Sequence, residues 1–578
     1  MVCGEIIMVY FVAFSILILL VLLIQNKIKP SFLFVGLVLI YYFLDLISLD
    51  KMLHGFVNPA LITLLLLLLI SIVFEKTSFI SYISNKLFCA SYKKSLLRLS
   101  LFTSLFSAFL NNTAVVASMI SVVNKNKFHS PSKLLLPLSF AAIFGGTITL
   151  IGTSTNLLVN SFMIENNLKP LELFDFIYVG LPISLAGAFV LLYISKYLPD
   201  NKVDVKKEHY FIEAKVLKDS KLIGKTIAEN YLRTLEYLFL SEILREDSVI
   251  SPVSPNEIIK ENDILLFTGD IKHFAILKQF HGLKLEDNHH NLNNNILEVI
   301  VANESTLVNR SIKEANFRSK FNASVIAIKR GKERLSGKIS DIKLQVGDNL
   351  VLAYGKDFAK RDNIDKNFYL INDEITIEKK LNNQQSSIVI GGFIMVLFFS
   401  FIELIPLIKG LFGLLALFVL LNYITLAEIK RRFPYELMLI IGSSLAVATV
   451  MIQSGLANNI AQSINTIFGN FGVLGAFIAI YLVTFLLTEI ITNNAAAALT
   501  FPIAYSTALS FDSNILPFVM AVAYGASASF LLPYGYQTNL MVYSAGEYNM
   551  KAFFKSGIAV SIVYSLLIIF LIPIFFPF

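Results

Sequence analysis

Apolar residues in this chain come in long runs at both ends and in short alternating runs in the middle. Before residue 200, stretches near 6–25, 31–48, 57–76 and 172–198 are long enough to cross the roughly 30 Å hydrocarbon core of a bilayer as helices. After residue 380 the pattern returns near 385–406, 411–427, 435–455 and 552–577. Between 200 and 380 the runs shorten to strand length at Phe211–Val216, Ile264–Phe267, Ile296–Val301, Val325–Lys329 and Leu350–Ala353, separated by charges and turn residues. No basic segment precedes the first apolar run and no small-residue cleavage site follows it. Residues 6–25 therefore read as a retained span rather than a signal peptide.

Four more apolar stretches carry polar interruptions. The stretch near 99–123 is interrupted at Asn111-Asn112-Thr113, and the stretch near 471–510 at Thr492-Asn493-Asn494, 381 residues later. The stretch 132–166 breaks at Gly152-Thr153-Ser154-Thr155-Asn156, and 515–548 breaks at Gly535-Tyr536-Gln537-Thr538-Asn539, 383 residues later. Amides and hydroxyls inside apolar segments are costly unless they meet partners. Two matched sets predict a duplicated membrane fold with a binding site at its seam.

Loop charge orients these segments. Lys86, Lys93, Lys94 and Arg98 precede the first interrupted stretch, and Lys125, Lys127 and Lys133 follow it, so both of its ends are expected in the cytoplasm. A stretch that enters and leaves on one side is a re-entrant hairpin with a polar tip. In the second half, Lys430-Arg431-Arg432 mark the cytoplasm, whereas 456–470 and 511–514 hold no Lys or Arg, so the second hairpin enters from outside. The expected fold is a mainly α-helical polytopic membrane protein with two inverted repeats, each of five spans plus a re-entrant hairpin, at residues 1–199 and 381–578. Residues 200–380 form a cytoplasmic α+β insertion, both termini are external, and the expected location is the plasma membrane.

Composition agrees: 55% hydrophobic and 15% charged residues fit an integral membrane protein with some soluble mass. The net charge of +7 sits mainly in loops and in the insertion, so it follows the positive-inside rule and implies no nucleic-acid partner. Cys3 and Cys89 have no metal-ligand neighbours and form no disulfide framework. His289-His290 reads as solvated linker rather than a metal site. No metal-ligand cluster, nucleophile elbow or phosphate loop points to an enzyme.

The insertion repeats itself. Ser220-Lys221-Leu222-Ile223-Gly224-Lys225-Thr226-Ile227 returns as Ser305-Thr306-Leu307-Val308-Asn309-Arg310-Ser311-Ile312, which divides it into units at 200–290 and 291–380. Both copies resemble the C-terminal module of the RCK family, a ligand-sensing and dimerising unit on potassium transport proteins. The resemblance implies a homodimerising scaffold in preference to a working sensor of an unidentified regulatory ligand.

The membrane halves resemble the divalent anion:sodium symporter family, in which each hairpin tip carries Ser-Asn-Thr. Here the tips read Asn111-Asn112-Thr113 and Thr492-Asn493-Asn494, keeping the central Asn and one hydroxyl in each. The insertion and the two breaks resemble the branch associated with sulfate and other small inorganic anions. The resemblance implies an anion site at Asn111, Asn112, Thr113, Thr492, Asn493 and Asn494. It also implies sodium, the coupling ion, near Asn112, Gly152, Thr155 and Asn156 in one half and Asn493, Thr538 and Asn539 in the other. Exposed helix N-termini at tips and breaks attract anions, and freed carbonyls suit sodium. None of the four motifs holds Lys or Arg, so a dianion needs co-bound cations. Glu489, one turn before the second tip, is either a coupling group or a buried structural partner. The expected function is sodium-coupled symport of a small divalent oxyanion, sulfate first, by alternating access. The rivals are a sodium-coupled dicarboxylate symporter, a proton-coupled oxyanion efflux pump working through Glu489, and an ion channel gated by the RCK-like units.

Overall fold

A computed structural model describes every residue except 1, 26, 78–86, 201–210, 287–295, 372–380 and scattered positions between 233 and 363. The expectations at Lys86 and at His289-His290 lie outside the described residues. The first half folds into α1 (Val2–Gln25), α2 (Pro30–Phe43), α3 (Leu49–His54), α4 (Pro59–Glu75), α5 (Tyr92–Ser107), α6 (Asn112–Lys125), α7 (Leu135–Gly146), α8 (Ser154–Glu165) and α9 (Ile177–Ile194). Pro30 and Pro59 open their helices at the position where a missing N–H costs nothing. Among the described residues, seven helical segments are long and apolar enough to cross a membrane, and four apolar helices are shorter.

The insertion holds two five-stranded antiparallel sheets. The first comprises β1 (Phe211–Val216), β2 (Leu238–Arg245), β3 (Ser248–Ile250), β4 (Ile264–Gly269) and β5 (Leu283–Glu286), in the order β3-β2-β4-β1-β5. The second comprises β6 (Ile296–Val301), α10 (Phe317–Phe321), β7 (Ala323–Arg330), β8 (Glu333–Arg334), β9 (Asn349–Tyr354), α11 (Ile364–Asn367) and β10 (Phe368–Leu370), and its strand order β8-β7-β9-β6-β10 is the same plan. Details repeat 85 residues apart: bulges at Leu240/Glu242 and Val325/Ala327, and bridges Thr226–Ile258 and Ser311–Lys343. Arg245 reaches Asp263 at 2.8 Å and Arg330 reaches Asp348 at 2.7 Å, each pair tying a strand end to the turn before the third long strand. The insertion is a duplicated unit.

The second half contains α12 (Asn383–Phe401), α13 (Leu407–Leu420), α14 (Leu426–Arg432), α15 (Tyr435–Gln453), α16 (Leu456–Phe468), α17 (Gly472–Ile490), α18 (Asn493–Ser510), α19 (Ile515–Ser527), α20 (Gln537–Ala545) and α21 (Met550–Phe575). Both α2 and α13 are 14 residues long, about 21 Å at 1.5 Å per residue, and end sooner than their apolar runs. Left-handed Asp45 and Asn422, both at φ 56°, turn the chain there. The Leu46 N–H then bonds back to the Tyr41 carbonyl and the Tyr423 N–H to that of Phe418, each at 2.9 Å, which satisfies carbonyls left over at the helix end.

Packing also repeats between the halves. Helix α5 lies along α7 as α17 lies along α19, and α2 packs on α15 as α13 packs on α4. Helices α9 and α21 pack on each other across the seam. At one end, ion pairs Lys29–Glu436, Arg432–Glu75 and Lys76–Glu428 join the halves. The second β unit sits on α20. There Lys329 pairs with Glu547 at 2.9 Å, and a Cβ on Gly347 would fall 2.5 Å from Leu540 Cγ.

Candidate functional site

All four polar interruptions lie at helix starts. Helix α6 begins at Asn112, α8 at Ser154, α18 at Asn493 and α20 at Gln537. These four N-termini line one cavity of about 710 Å³ at the seam, a size typical of ligand sites. Each brings unbonded backbone N–H groups and the positive end of its helix dipole. Asn111, whose side chain accepts the Thr113 N–H at 2.8 Å, caps α6. Thr492 stands before α18 without a side-chain cap and is exposed to the cavity.

Each tip reaches the break of the opposite half. Asn112, 4% exposed, donates to the Tyr536 hydroxyl at 2.6 Å and accepts from the Ser107 hydroxyl at 2.6 Å. The Thr113 hydroxyl donates to Gln537 Oε1 at 3.1 Å. On the mirrored side, Asn494 Oδ1 accepts from Ser154 at 3.2 Å and from Thr155 at 3.4 Å. The halves are therefore laced through their polar interruptions.

Asn156 and Asn539 turn inward instead. The Asn156 amide donates to the carbonyls of Thr149 at 3.0 Å and Gly146 at 3.4 Å. The Asn539 amide donates to the Ser529 carbonyl at 2.7 Å and its oxygen accepts from Ser139 at 2.7 Å. Both amides close the loop between the two helices of a broken segment. Asn156 Oδ1 is buried with no hydrogen-bond partner, an oxygen suited to a cation. Thr538 is fully buried, and its hydroxyl lies 2.8 Å from that of Ser139, to which it can donate while Ser139 donates to Asn539. Gly152 has no room for a side chain, because a Cβ would fall 2.5 Å from the Gly146 carbonyl oxygen. Gly146 likewise abuts Asn112, at 2.7 Å from a Cβ to the amide nitrogen.

Glu489 accepts from three successive backbone N–H groups, those of Phe530 and Leu531 at 2.8 Å and Leu532 at 2.9 Å. It clamps the loop between α19 and α20. In the first half the equivalent loop is held by the Thr149 hydroxyl on the Ala108 carbonyl. The residues that sequence reasoning left out of the site are Ser107, Ser139, Thr153, Ser154, Tyr536 and Gln537. Four of these lie inside the motifs, and their pairing at the 383-residue offset was the available signal.

Two repeated halves with many apolar helices and a polar cleft between them have the build of a multi-pass membrane protein. The family model described as citrate transporter matches residues 6–523. The chain belongs to that family, the citrate and divalent anion:sodium symporters, and is a transporter. It is similar to a candidate sulfur deprivation response regulator of Chlamydomonas reinhardtii, 29% identical over 89% of this chain and 92% of that protein. An uncharacterized transporter of Synechocystis sp. is 27% identical over 90% of both chains. Sodium/sulfate cotransporter 1 of Chlamydomonas reinhardtii is 28% identical over 64% of this chain and 45% of its own length.

Proposed function

We propose that the chain carries a small divalent oxyanion, sulfate first, in symport with sodium by alternating access. The observation that supports this most is the convergence of four helix N-termini on one cavity. Each terminus carries roughly half a positive charge, so four offer about two, the match for a dianion. The four motifs add no Lys or Arg. Lys29 and Arg432, further out in the cleft, are already neutralised by Glu436 and Glu75. Asn112, Thr113, Asn493 and Asn494 face the anion, with Asn111 and Thr492 at the helix caps. Sodium binds beside them, at Gly152, Thr155 and Asn156 and at Thr538 and Asn539, where the unpaired Asn156 oxygen favours the first-half site. The interrupted helix pairs act as hairpins entering from opposite faces, and the duplicated cytoplasmic units serve regulation or homodimerisation. Relatives named as sodium/sulfate cotransporters support both cargo and coupling ion.

The family's description as citrate transporter favours a second reading, a carboxylate cargo on the same fold. Uptake of labelled sulfate into proteoliposomes, with and without a sodium gradient and with unlabelled competitors, separates the two. The proposal expects sodium-driven uptake that unlabelled sulfate inhibits more strongly than succinate does. Stronger inhibition by succinate would transfer the site to a dicarboxylate.

A further inference from the structure

The two breaks share a backbone and differ in side-chain volume. Thr153 stands before α8 at φ −138°, ψ 148°, and its repeat mate Tyr536 stands before α20 at φ −133°, ψ 134°. The next positions are Ser154 and Gln537. At both, the second half carries the larger group. Tyr536 is 7% exposed, and its hydroxyl lies 2.6 Å from the Asn112 amide and 3.4 Å from the Thr153 hydroxyl. Both residues line the cavity, and the second half sets an aromatic ring where the first half has a threonine.

We infer that Tyr536 sets the size of the cargo, an inference that rests on the symport reading above. Its ring leaves room for a compact tetrahedral dianion and shuts out carboxylates carried at the ends of a four-carbon chain. The backbone behind the ring is closely packed: a Cβ on Gly535 would fall 2.4 Å from both the Ser529 hydroxyl and the Thr488 carbonyl oxygen. The hydroxyl has a second task. Asn112 donates to it, so its own proton is available to a further acceptor. An anion oxygen is a charged acceptor, and a neutral phenol gives this hydrogen bond without adding a charge to the dipole-balanced site.

The test compares the wild type with Tyr536→Thr, which copies Thr153 onto its repeat mate, and with Tyr536→Phe, which keeps the ring and removes the hydroxyl. Sodium-driven uptake of labelled sulfate and labelled succinate gives kcat/KM for each anion. Thermal stabilisation of the purified protein by each anion gives the same comparison without transport. Tyr536→Thr should raise the succinate-to-sulfate ratio by about tenfold or more, the usual scale for opening a pocket by a few carbons. Tyr536→Phe should still exclude succinate while its sulfate KM rises by about tenfold, the cost of one hydrogen bond to an anion. An unchanged ratio in Tyr536→Thr overturns the inference, and so does a Tyr536→Thr protein that neither anion stabilises, since Tyr536 then serves only the fold. A wild type that prefers succinate to sulfate overturns the symport reading instead.

Discussion

At the scale of single residues, the halves solve one problem with different chemistry. Each broken segment needs its loop pinned against the neighbouring helix. The first half uses a threonine hydroxyl on a carbonyl, and the second uses the Glu489 carboxylate on three N–H groups. A carboxylate whose oxygens are filled by fixed backbone donors fits a clamp better than a proton carrier. Glu489→Gln sets an NH2 group against backbone donors, and a buried donor left without an acceptor costs about 1–3 kcal/mol. The variant should therefore melt at a lower temperature while its uptake, scaled to folded protein, keeps the wild-type sodium dependence. Wild-type uptake indifferent to sodium, with Glu489→Gln inactive yet as stable as wild type, would make this carboxylate a coupling group.

At the scale of elements, the candidate site depends on where four helices begin, and glycines precede two of those starting points, at Gly152 and Gly535. Gly152 lets the chain pass the Gly146 carbonyl before α8 starts. Gly152→Ala should displace the start of α8, lower the melting temperature and abolish uptake. Gly391, exposed on α12 with open space for 4 Å around the place a Cβ would take, is the matched control. There an alanine should stabilise the helix by up to about 1 kcal/mol and leave transport unchanged. Equal loss of uptake in both variants would show that the glycine position is not what matters. The helix starts were legible in the sequence because polar islands in apolar runs are rare and these recur at 381- and 383-residue offsets. The lengths of α2 and α13 were not, because left-handed Asp45 and Asn422 end them inside continuous apolar runs. Nor was α16, an amphipathic helix with Leu456, Ala457 and Ala461 buried, where loop charge gave only a flank.

At the scale of the whole molecule, contacts between residues far apart in sequence escape any local pattern. Asn112 and Tyr536 are 424 positions apart, and nothing near either residue announces the other. The duplicated insertion was visible in its repeated strands, but its seat on α20 was not. That seat brings Gln345, Lys366 and Phe368 into the lining of the cavity that Gln537 and Leu540 of α20 also line. Gly347, at φ 83° and packed on Leu540, should tolerate no side chain. Gly347→Ala should loosen β6 from α20, read as faster hydrogen exchange at both elements with α1 and α21 unaffected. Unchanged exchange would show that the unit is held elsewhere. The central claim is that helix dipoles and sodium together hold a dianion between the two tips. Binding of labelled sulfate to the purified protein, in sodium and then in choline at equal ionic strength, tests it most directly. Saturable binding in sodium, absent in choline and absent from Asn112→Ala and Asn493→Ala proteins that remain folded, is the predicted result. Equal binding in sodium and choline, or full binding by both variants, would contradict it.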